Sequence, residues 1–497
     1  MVKYSKKIDF EIPFSVSRVT DTLKKAGFEA YLIGGCVRNI LLEKKPKDWD
    51  VTTNATPEKI QSLFPKTVYE NEYGTVGVIN EEEEDMSLRL VEVTPYRLEA
   101  KYSNKRHPDA VSFTRNLEED LKRRDFTINA MALDVSREAN SLVDLFGGEE
   151  DLAKKKIKAV GKAEERFDED ALRILRGIRL ATELGFTIEP ETKRAMVERA
   201  EHLKHISQER IRDEFTRIIM SSKPSVGLEI MREIGILPYV TREIEEAVGV
   251  LQNKAHIYPV WEHLLKALDY AASKDWELHV RLSALFHDVG KPATRRWMEE
   301  KKDWTFYGHD VIGAKMSERI LERLKYPKRT TELVRKLVRY HMFFSDTELI
   351  TLSAVRRIVR NVGSEHIWDL MKVRFADRIG MGKPKESPYR LRKYEAMIEQ
   401  AMRDPITVGM LKINGGRVIE LLHVNPGPKI GQLLHVLLEE VLEDSAKNTE
   451  EYLENRTKEL NQLSEIELKE LGLKAKGVKE KLEEEEIGKI HKKWWVT

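Results

Sequence analysis

Two adjacent glycines, a spacer of helical length and two aspartates one residue apart form the pattern richest in chemistry: Gly34-Gly35-Cys36-Val37-Arg38, then Asp48-Trp49-Asp50. Tyr31-Leu32-Ile33 has the apolar run of a short buried strand leading into the glycines, and Val37 to Leu42 has the composition of a helix. The free N–H groups at a helix start attract anions, so this turn predicts a triphosphate cradle. Along an extended Asp48-Trp49-Asp50-Val51, alternate residues project to one side. Asp48 and Asp50 then face a shared pair of Mg²⁺ ions while Trp49 and Val51 face the core. Two metals about 3.5–4 Å apart activate an attacking hydroxyl and stabilise leaving pyrophosphate, which is what nucleotidyl transfer requires. Asp48 and Asp50 are therefore the expected catalytic carboxylates and Mg²⁺ ligands.

The elements that must hold such a site fit a multidomain enzyme. A chain of 497 residues has a prior of about three to four domains, each able to bury a core. Charged residues make up 34% and hydrophobic ones 41%, and no apolar run approaches the roughly 18 residues of a membrane span. The N-terminal MVKYSKKIDF lacks the apolar segment of a signal peptide, and the one cysteine, Cys36, excludes an internal disulfide. Both features predict a cytoplasmic protein. Cys36, beside the glycines, is expected to be a small packed residue. A formal net charge of +1 means that any nucleic acid is held by local basic patches rather than a global field.

Patterning changes near residue 150. Before it, β-rich runs such as Thr75-Val76-Gly77-Val78-Ile79 and Leu90-Val91-Glu92-Val93-Thr94 alternate with helical stretches. After it, apolar residues recur at three and four, as in Leu172, Leu175 and Ile178 or Leu264, Leu265 and Leu268. The fold class expected is an α+β head, a mixed sheet with helices, followed by all-α domains. Breaks are expected at Gly235-Ile236-Leu237-Pro238, from Pro384 to Pro388, and at Pro426-Gly427-Pro428. The lysine- and glutamate-rich end, with Glu483 to Glu486 and a final Trp494-Trp495, has the composition of a solvated helix or tail.

With these motifs in view, the chain resembles the class II tRNA nucleotidyltransferases, the bacterial CCA-adding enzymes and their poly(A) polymerase relatives. The family's metal motif is matched by Gly34, Gly35, Arg38, Asp48 and Asp50. Asn39 stands where the family usually has an acid, a departure that touches a helix-start charge or supporting contact. A second motif is similar to Arg123-Arg124-Asp125-Phe126-Thr127-Ile128-Asn129-Ala130, and the resemblance implies that Arg124, Asp125 and Asn129 contact sugar and triphosphate. Asp144-Leu145-Phe146-Gly147-Gly148 is similar to the motif joining head to neck, and Ser207-Gln208-Glu209-Arg210 with Glu214 to one that braces the neck. The domains this implies are a head over 1–150, a neck and body over 151–245, an HD domain over 246–385, a tRNA-binding tail over 386–462 and an extension over 463–497.

Base choice is expected from Glu169-Asp170-Ala171-Leu172-Arg173-Ile174-Leu175-Arg176. On one helix Asp170 and Arg173 lie at i and i+3 and share a face, opposite the buried stripe of Leu172, Leu175 and Ile178. A carboxylate only accepts and a guanidinium only donates. Cytosine and adenine both offer an amino donor beside a ring-nitrogen acceptor, whereas uracil and guanine reverse the order and leave buried groups unpaired. Asp170 and Arg173 thus predict a protein template, with Arg176 one turn on to stack on or hold the pair. Arg97 to Pro108 resembles the flexible loop by which family members switch from CTP to ATP, and its presence argues against a CC-only enzyme. Glu92 can offer a third carboxylate to the metal site.

In the helical half, His263, His287-Asp288, His309, His341 and Asp377 stand in the order of the HD phosphohydrolase superfamily. The resemblance implies that these six bind metal, and imidazoles with carboxylates suit Mn, Fe or Ni. Two readings of different classes compete. One is template-independent addition of CCA from CTP and ATP to the 3′ end of tRNA, with A-only addition or poly(A) synthesis as variants of the same chemistry. The other is a phosphohydrolase acting on monoesters or 2′,3′-cyclic phosphates, with an RNA-binding N-terminal module. Asp48 and Asp50 favour the first, because a binding module needs no metal carboxylates. Residues 406–448, including Ile413-Asn414-Gly415, Pro426 to Gly431 and Asn448, resemble the tail of HD-bearing tRNA enzymes. No membrane partner is expected.

Overall fold

The structure, a computed structural model, describes residues 5–69, 74–99, 111–135, 140–343, 350–403, 407–464, 467–468 and 471. The chain forms two compact units, Met1–Arg242 and Glu243–Thr497. In the first, strands β1 (Lys6–Ile8), β2 (Ala30–Ile33), β3 (Trp49–Thr53), β4 (Thr67–Tyr69), β5 (Val76–Ile79), β6 (Leu90–Pro95), β9 (Met131–Asp134) and β10 (Asn140–Asp144) make one sheet, while β7 (Arg97–Glu99) and β8 (Val111–Phe113) pair as a separate ribbon. The sheet order is β1-β10-β9-β2-β3-β6-β5-β4. All its pairs are antiparallel except β3 with β6, so the sheet is mixed as expected.

All four residues of β2, Ala-Tyr-Leu-Ile, are buried, the pattern of a central strand covered on both faces. Tyr31 and Ile33 join Tyr96, Leu117, Leu121, Ala132 and Val143 in one cluster. The helix Phe14–Lys25 buries Val16, Val19 and Leu23, spaced by three and four. β3 starts at Trp49, one residue later than the alternation suggests, and Asp48 lies exposed in the bend before it. Trp49 and Val51 are buried as expected. In the parallel register Asp50 stands opposite Glu92, which puts the two carboxylates beside each other on one face.

The rest of the first unit is mainly helical, with one two-stranded parallel pair, Lys156–Ile157 and Thr187–Ile188. Gly147 adopts φ +75°, and the Asp144 carboxylate accepts from the N–H groups of Gly148 and Glu149 at 2.9 Å each, starting the helix Gly148–Ala153. That helix packs so closely on Thr127 that a Cβ on Gly148 would lie 2.3 Å from the Thr127 carbonyl oxygen.

The second unit is a helical assembly with one hairpin, Arg296–Met298 and Asp303–Thr305. Helices Val260–Ser273, Leu278–Phe286 and Ile367–Gly380 meet through Ala267, Ala271, Ala284 and Ala376, side chains small enough for close approach. A larger apolar cluster carries helices Leu352–Val362, Tyr389–Arg403, Pro428–Glu443 and Glu450–Leu460. Helices end or begin at each expected break: Gly235 closes Pro224–Ile234 with φ +77°, and Gly427 precedes Pro428.

Replacing Gly148 with Ala should destabilise the chain by roughly 1–3 kcal/mol, because backbone must move to admit the methyl group. Gly431→Ala, inside a helix and facing open space, should hold or raise stability. Thermal unfolding of both variants checks the pair.

Candidate functional site

Gly34, with φ +74°, turns the chain from β2 into the helix Gly35–Leu41. A Cβ on Gly34 would stand 3.3 Å from Arg124 Nη1 and 3.7 Å from Asp50 Oδ2, so the bare glycine keeps open the space between a cation and a carboxylate. From the same helix Arg38 donates to Asn129 Oδ1 at 2.7 Å and to Asn39 Oδ1 at 3.1 and 3.3 Å. Asn129 donates in turn to Asp125 Oδ1 at 3.3 Å. Asp125 also accepts from the Phe126 N–H and, through Oδ2, from Arg176 at 2.8 Å. One hydrogen-bonded line thus joins Arg38, Asn129, Asp125 and Arg176, four of the expected nucleotide-contacting residues. Burial raises the Asp125 pKa, but Arg176 and Arg173 outweigh it and hold the carboxyl at about 2.

The expected base-reading pair is arranged differently from a shared helix face. Asp170 has extended backbone (φ −147°, ψ 102°) in the corner between helices Ala163–Glu169 and Leu172–Leu184, and Arg173 opens the second. The Asp170 carboxylate accepts from Leu172 N at 3.0 Å, capping that helix, and from Arg210 at 2.6 and 3.3 Å. Arg173 donates to Glu169 Oε2 at 2.6 Å and to the backbone carbonyls of Arg123 and Arg166 at 3.0 and 3.3 Å. A free carboxylate at a helix start prefers the orphan N–H groups, and this cap breaks the helix where the i,i+3 count assumed continuity. Leu172, Leu175 and Ile178 do form the buried stripe. Arg176 serves Asp125 rather than the pair. Glu214 is buried and accepts from buried Arg179 at 2.6 Å.

In the second unit His263, His287, Asp288, His309, His341 and Asp377 are all buried. Their ligand atoms fall into two overlapping groups able to hold a metal, His263, His287, Asp288 and Asp377, and Asp288, His309 and His341. His263 Nε2 lies 3.0 Å from Asp288 Oδ2 and 3.4 Å from Asp377 Oδ1, and His309 Nε2 lies 3.2 Å from Asp288 Oδ1. The Nδ1 atoms of His287, His309 and His341 each pair with the carbonyl three residues back, of Ala284, Phe306 and Val338, at 2.6–2.8 Å. A carbonyl only accepts, so Nδ1 carries a proton in each ring and Nε2 is the atom turned to the cluster. Among the described residues, His309 Nε2 and His341 Nε2 are buried without a hydrogen-bond partner, which is costly for a polar atom and suits a metal ligand. Lys291 donates to Asp288 Oδ2 at 2.6 Å and to Gln252 Oε1 at 2.6 Å. Burial pushes the Asp288 carboxyl up, yet Lys291 and His287 hold it well below the ordinary range. Backbones come close here as well: a Cβ on Gly290 would meet the His309 carbonyl oxygen at 2.3 Å, and one on Gly380 would meet His263 at 2.9 Å.

Residues 30–158 match the poly(A) polymerase head domain, residues 185–248 the probable RNA- and SrmB-binding site of polymerase A, and residues 260–385 the HD domain. The chain is 40% identical over 269 residues to the CCA-adding enzyme of Leuconostoc mesenteroides, covering 52% of this chain and 65% of that one. It is 32% identical over 433 residues to the CCA-adding enzyme of Lactobacillus delbrueckii subsp. bulgaricus, covering 87% of this chain and 94% of that one. The chain belongs to the CCA-adding enzyme family. Its fold is similar to that of the Bacillus stearothermophilus CCA-adding enzyme solved with CTP, with TM-score 0.67 and 27% identity over 91% of this chain and 98% of that one.

As a CCA-adding enzyme the chain departs from the family motif at Asn39, whose amide oxygen takes up two Arg38 donors. A neutral acceptor still orients that guanidinium. Several residues of the site went unnoticed in the sequence. Glu169, partner of Arg173, stands at i−4 from it, and Asp120, partner of Arg123 and Arg124, at i−3 and i−4, so helical charge spacing was the available signal. Gln252 lies 39 residues before the Lys291 it meets, and no local pattern announces it. Cys36 is buried, its thiol pushed up to about 12 by burial, as suits a packed residue. Residues 100–108 of the loop and the charged end from 472 lie outside the described residues, in which no helix is long and apolar enough to cross a membrane.

The depressed Asp125 carboxyl ties stability to pH. Its folded pKa of about 2 lies below the ordinary 3.8, so its contribution is fully present above about pH 4 and is lost as pH falls toward 2. The contribution at neutral pH is roughly 2 kcal/mol. Urea unfolding should show the stability gap between the parent and Asp125→Asn closing between pH 5 and pH 2, whereas a constant gap would mean that Asp125 is not held ionised.

Proposed function

We propose that this chain rebuilds the 3′-terminal CCA of tRNA from CTP and ATP in the first unit and hydrolyses phosphate esters at the HD cluster in the second. The observation that carries the first part is the line Arg38–Asn129–Asp125–Arg176 beside the opening between Arg124 and Asp50, set over the glycine turn. Asp48 and Asp50 hold Mg²⁺ in this reading, with Glu92 adjoining Asp50 across the strand pair. The bound metal supplies activation of the terminal hydroxyl and neutralises the leaving pyrophosphate. Arg38 and Arg124 give donors to phosphate oxygens beside the N–H groups of the Gly34-Gly35 turn; Asn129, itself held by Asp125, orients Arg38, and Asp120 faces Arg124.

Asp170 and Arg173 supply the acceptor and donor that match cytosine and adenine, held apart by Arg210 and Glu169 until a base takes their place. With Arg173 buried and Asp170 half-buried, a base of the wrong pattern leaves them unsatisfied. The tail over 386–462 contributes basic contacts to the RNA backbone. Cytoplasmic tRNA is the expected substrate. For the HD cluster, the donor set of imidazole and carboxylate favours Mn, Fe or Ni, with Lys291 available to a phosphate oxygen.

Asp50→Ala should cut CTP and ATP incorporation at least about a thousandfold, the scale of losing a major electrostatic stabiliser, and leave tRNA affinity near the parent's. Asp170→Ala and Arg173→Ala should lower discrimination against UTP and GTP by about 1–3 kcal/mol, measured as relative incorporation. Parental activity in the first or parental selectivity in the others contradicts the assignments.

His287→Ala and Asp288→Ala should eliminate release of phosphate from nucleotide monoesters and opening of 2′,3′-cyclic phosphates while nucleotide addition stays within about threefold of the parent. The assay uses protein stripped with chelator and reloaded with Mn²⁺ or Ni²⁺, with elemental analysis of the protein beforehand. No hydrolysis by the parent with any transition metal, together with no bound metal, contradicts a second active centre.

A further inference from the structure

Asp120, on the helix Leu117–Lys122, has no exposed surface and yet carries a charge. Its Oδ1 accepts from Arg123 Nε at 2.9 Å, from Arg123 Nη2 at 2.6 Å and from the Arg97 N–H at 3.3 Å. Its Oδ2 faces the Thr52 hydroxyl at 3.3 Å and Arg124 Nη2 at 3.4 Å. The two arginines outweigh the cost of burial and hold the carboxyl below its ordinary range.

Each of those partners belongs to a different part of the transferase machinery. Thr52 is two residues from Asp50 on β3 and shares its side of the strand alternation. Arg124 borders the opening over Gly34 that Asp50 also borders. Arg123 presents its carbonyl oxygen to Arg173 Nη2 at 3.0 Å, so the residue that clamps Asp120 also positions the expected base reader. Arg97 opens β7, at the root of the ribbon beside the sheet. A buried carboxylate must keep its donors to remain tolerable, so these elements move together or not at all.

We propose that Asp120 is a positioning residue of nucleotide addition: it holds the metal-bearing strand, the phosphate-facing Arg124 and, through Arg123, the base-reading Arg173 in one register. The proposal rests on the transferase reading given above. Reacting atoms must be placed to within a fraction of an ångström, and selection must act on the same bound nucleotide that reacts, so a shared anchor serves both at once. Asp120 touches neither nucleotide nor metal and acts only through its partners.

The test is single-nucleotide extension of tRNA with CTP, ATP and UTP by the full chain and by Asp120→Asn, with tRNA affinity and thermal unfolding measured alongside. The amide keeps the size and one acceptor but loses the charge that gathers both arginines. The expected result is a kcat for CTP about tenfold lower or more, with KM for tRNA unchanged, and UTP incorporation relative to CTP raised about fivefold. Loss of selectivity is the deciding readout, because a merely structural carboxylate would lower active protein without changing the ratio. Should Asp120→Asn unfold, Arg123→Lys replaces it: the carboxylate keeps a cation but loses its fork, and the same shift in the UTP to CTP ratio is expected. A parental ratio in the folded variant overturns the proposal alone. A parent that adds neither CTP nor ATP overturns the transferase reading and this proposal with it.

Discussion

Charge taken out of water has to be met by opposite charge or by hydrogen bonds at fixed positions, and the functional parts of both units are arranged around that requirement. In the first unit Asp120 and Asp125 are buried, and arginines from two segments pair with them, Arg123 and Arg124 beside them in sequence and Arg176 from the helix Leu172–Leu184. An arginine drawn inward by one carboxylate presents its remaining donors along a fixed direction, because the guanidinium fork is planar and rigid. The cations available to a triphosphate are thereby placed before any nucleotide arrives. Removing either carboxylate would free the arginines rather than merely weaken a contact.

The second unit solves the same problem with imidazoles. Asp288 and Asp377 sit among four buried histidines, with Lys291 and Arg374 as their cationic partners. Three histidines spend Nδ1 on a backbone carbonyl, and two leave Nε2 with no hydrogen bond, an arrangement that is expensive unless something accepts those lone pairs. The helices reach this distance only because Gly290, Gly380 and a cluster of alanines put no side chain in the way. Packing and chemistry are therefore set by the same small residues.

Much of this was legible in the sequence, and the failures have physical causes. The glycine turn and the buried Trp49 and Val51 are local patterns whose neighbours agree with them, so types and spacing placed them. The four histidines and two aspartates, spread over more than a hundred residues, were grouped by the resemblance to the HD superfamily, and the fold brings them together. Asp170 does not share a helix face with Arg173 because a short acidic side chain near a helix start can cap the backbone instead of continuing the helix, and its partner Arg210 lies forty residues on. Glu169 and Asp120 sat in plain sight at helical spacing from arginines, but an acid–base pair on a helix is ordinarily a solvated one, and only the tertiary packing buries Asp120 and half-buries Glu169. Gln252 reaches Lys291 across a turn of chain that no periodicity describes.

The central claim, that one site in the first unit adds C, C and A in order without a nucleic-acid template, is tested most directly by extending tRNA that lacks its CCA end. The purified chain is given Mg²⁺ with CTP alone, ATP alone or both, and the products are resolved to one nucleotide. The expected products are two residues added from CTP alone, none from ATP alone, and three with termination when both are present. Addition only of A to a transcript already ending in CC, an untemplated run of A residues, or no extension at all would contradict it.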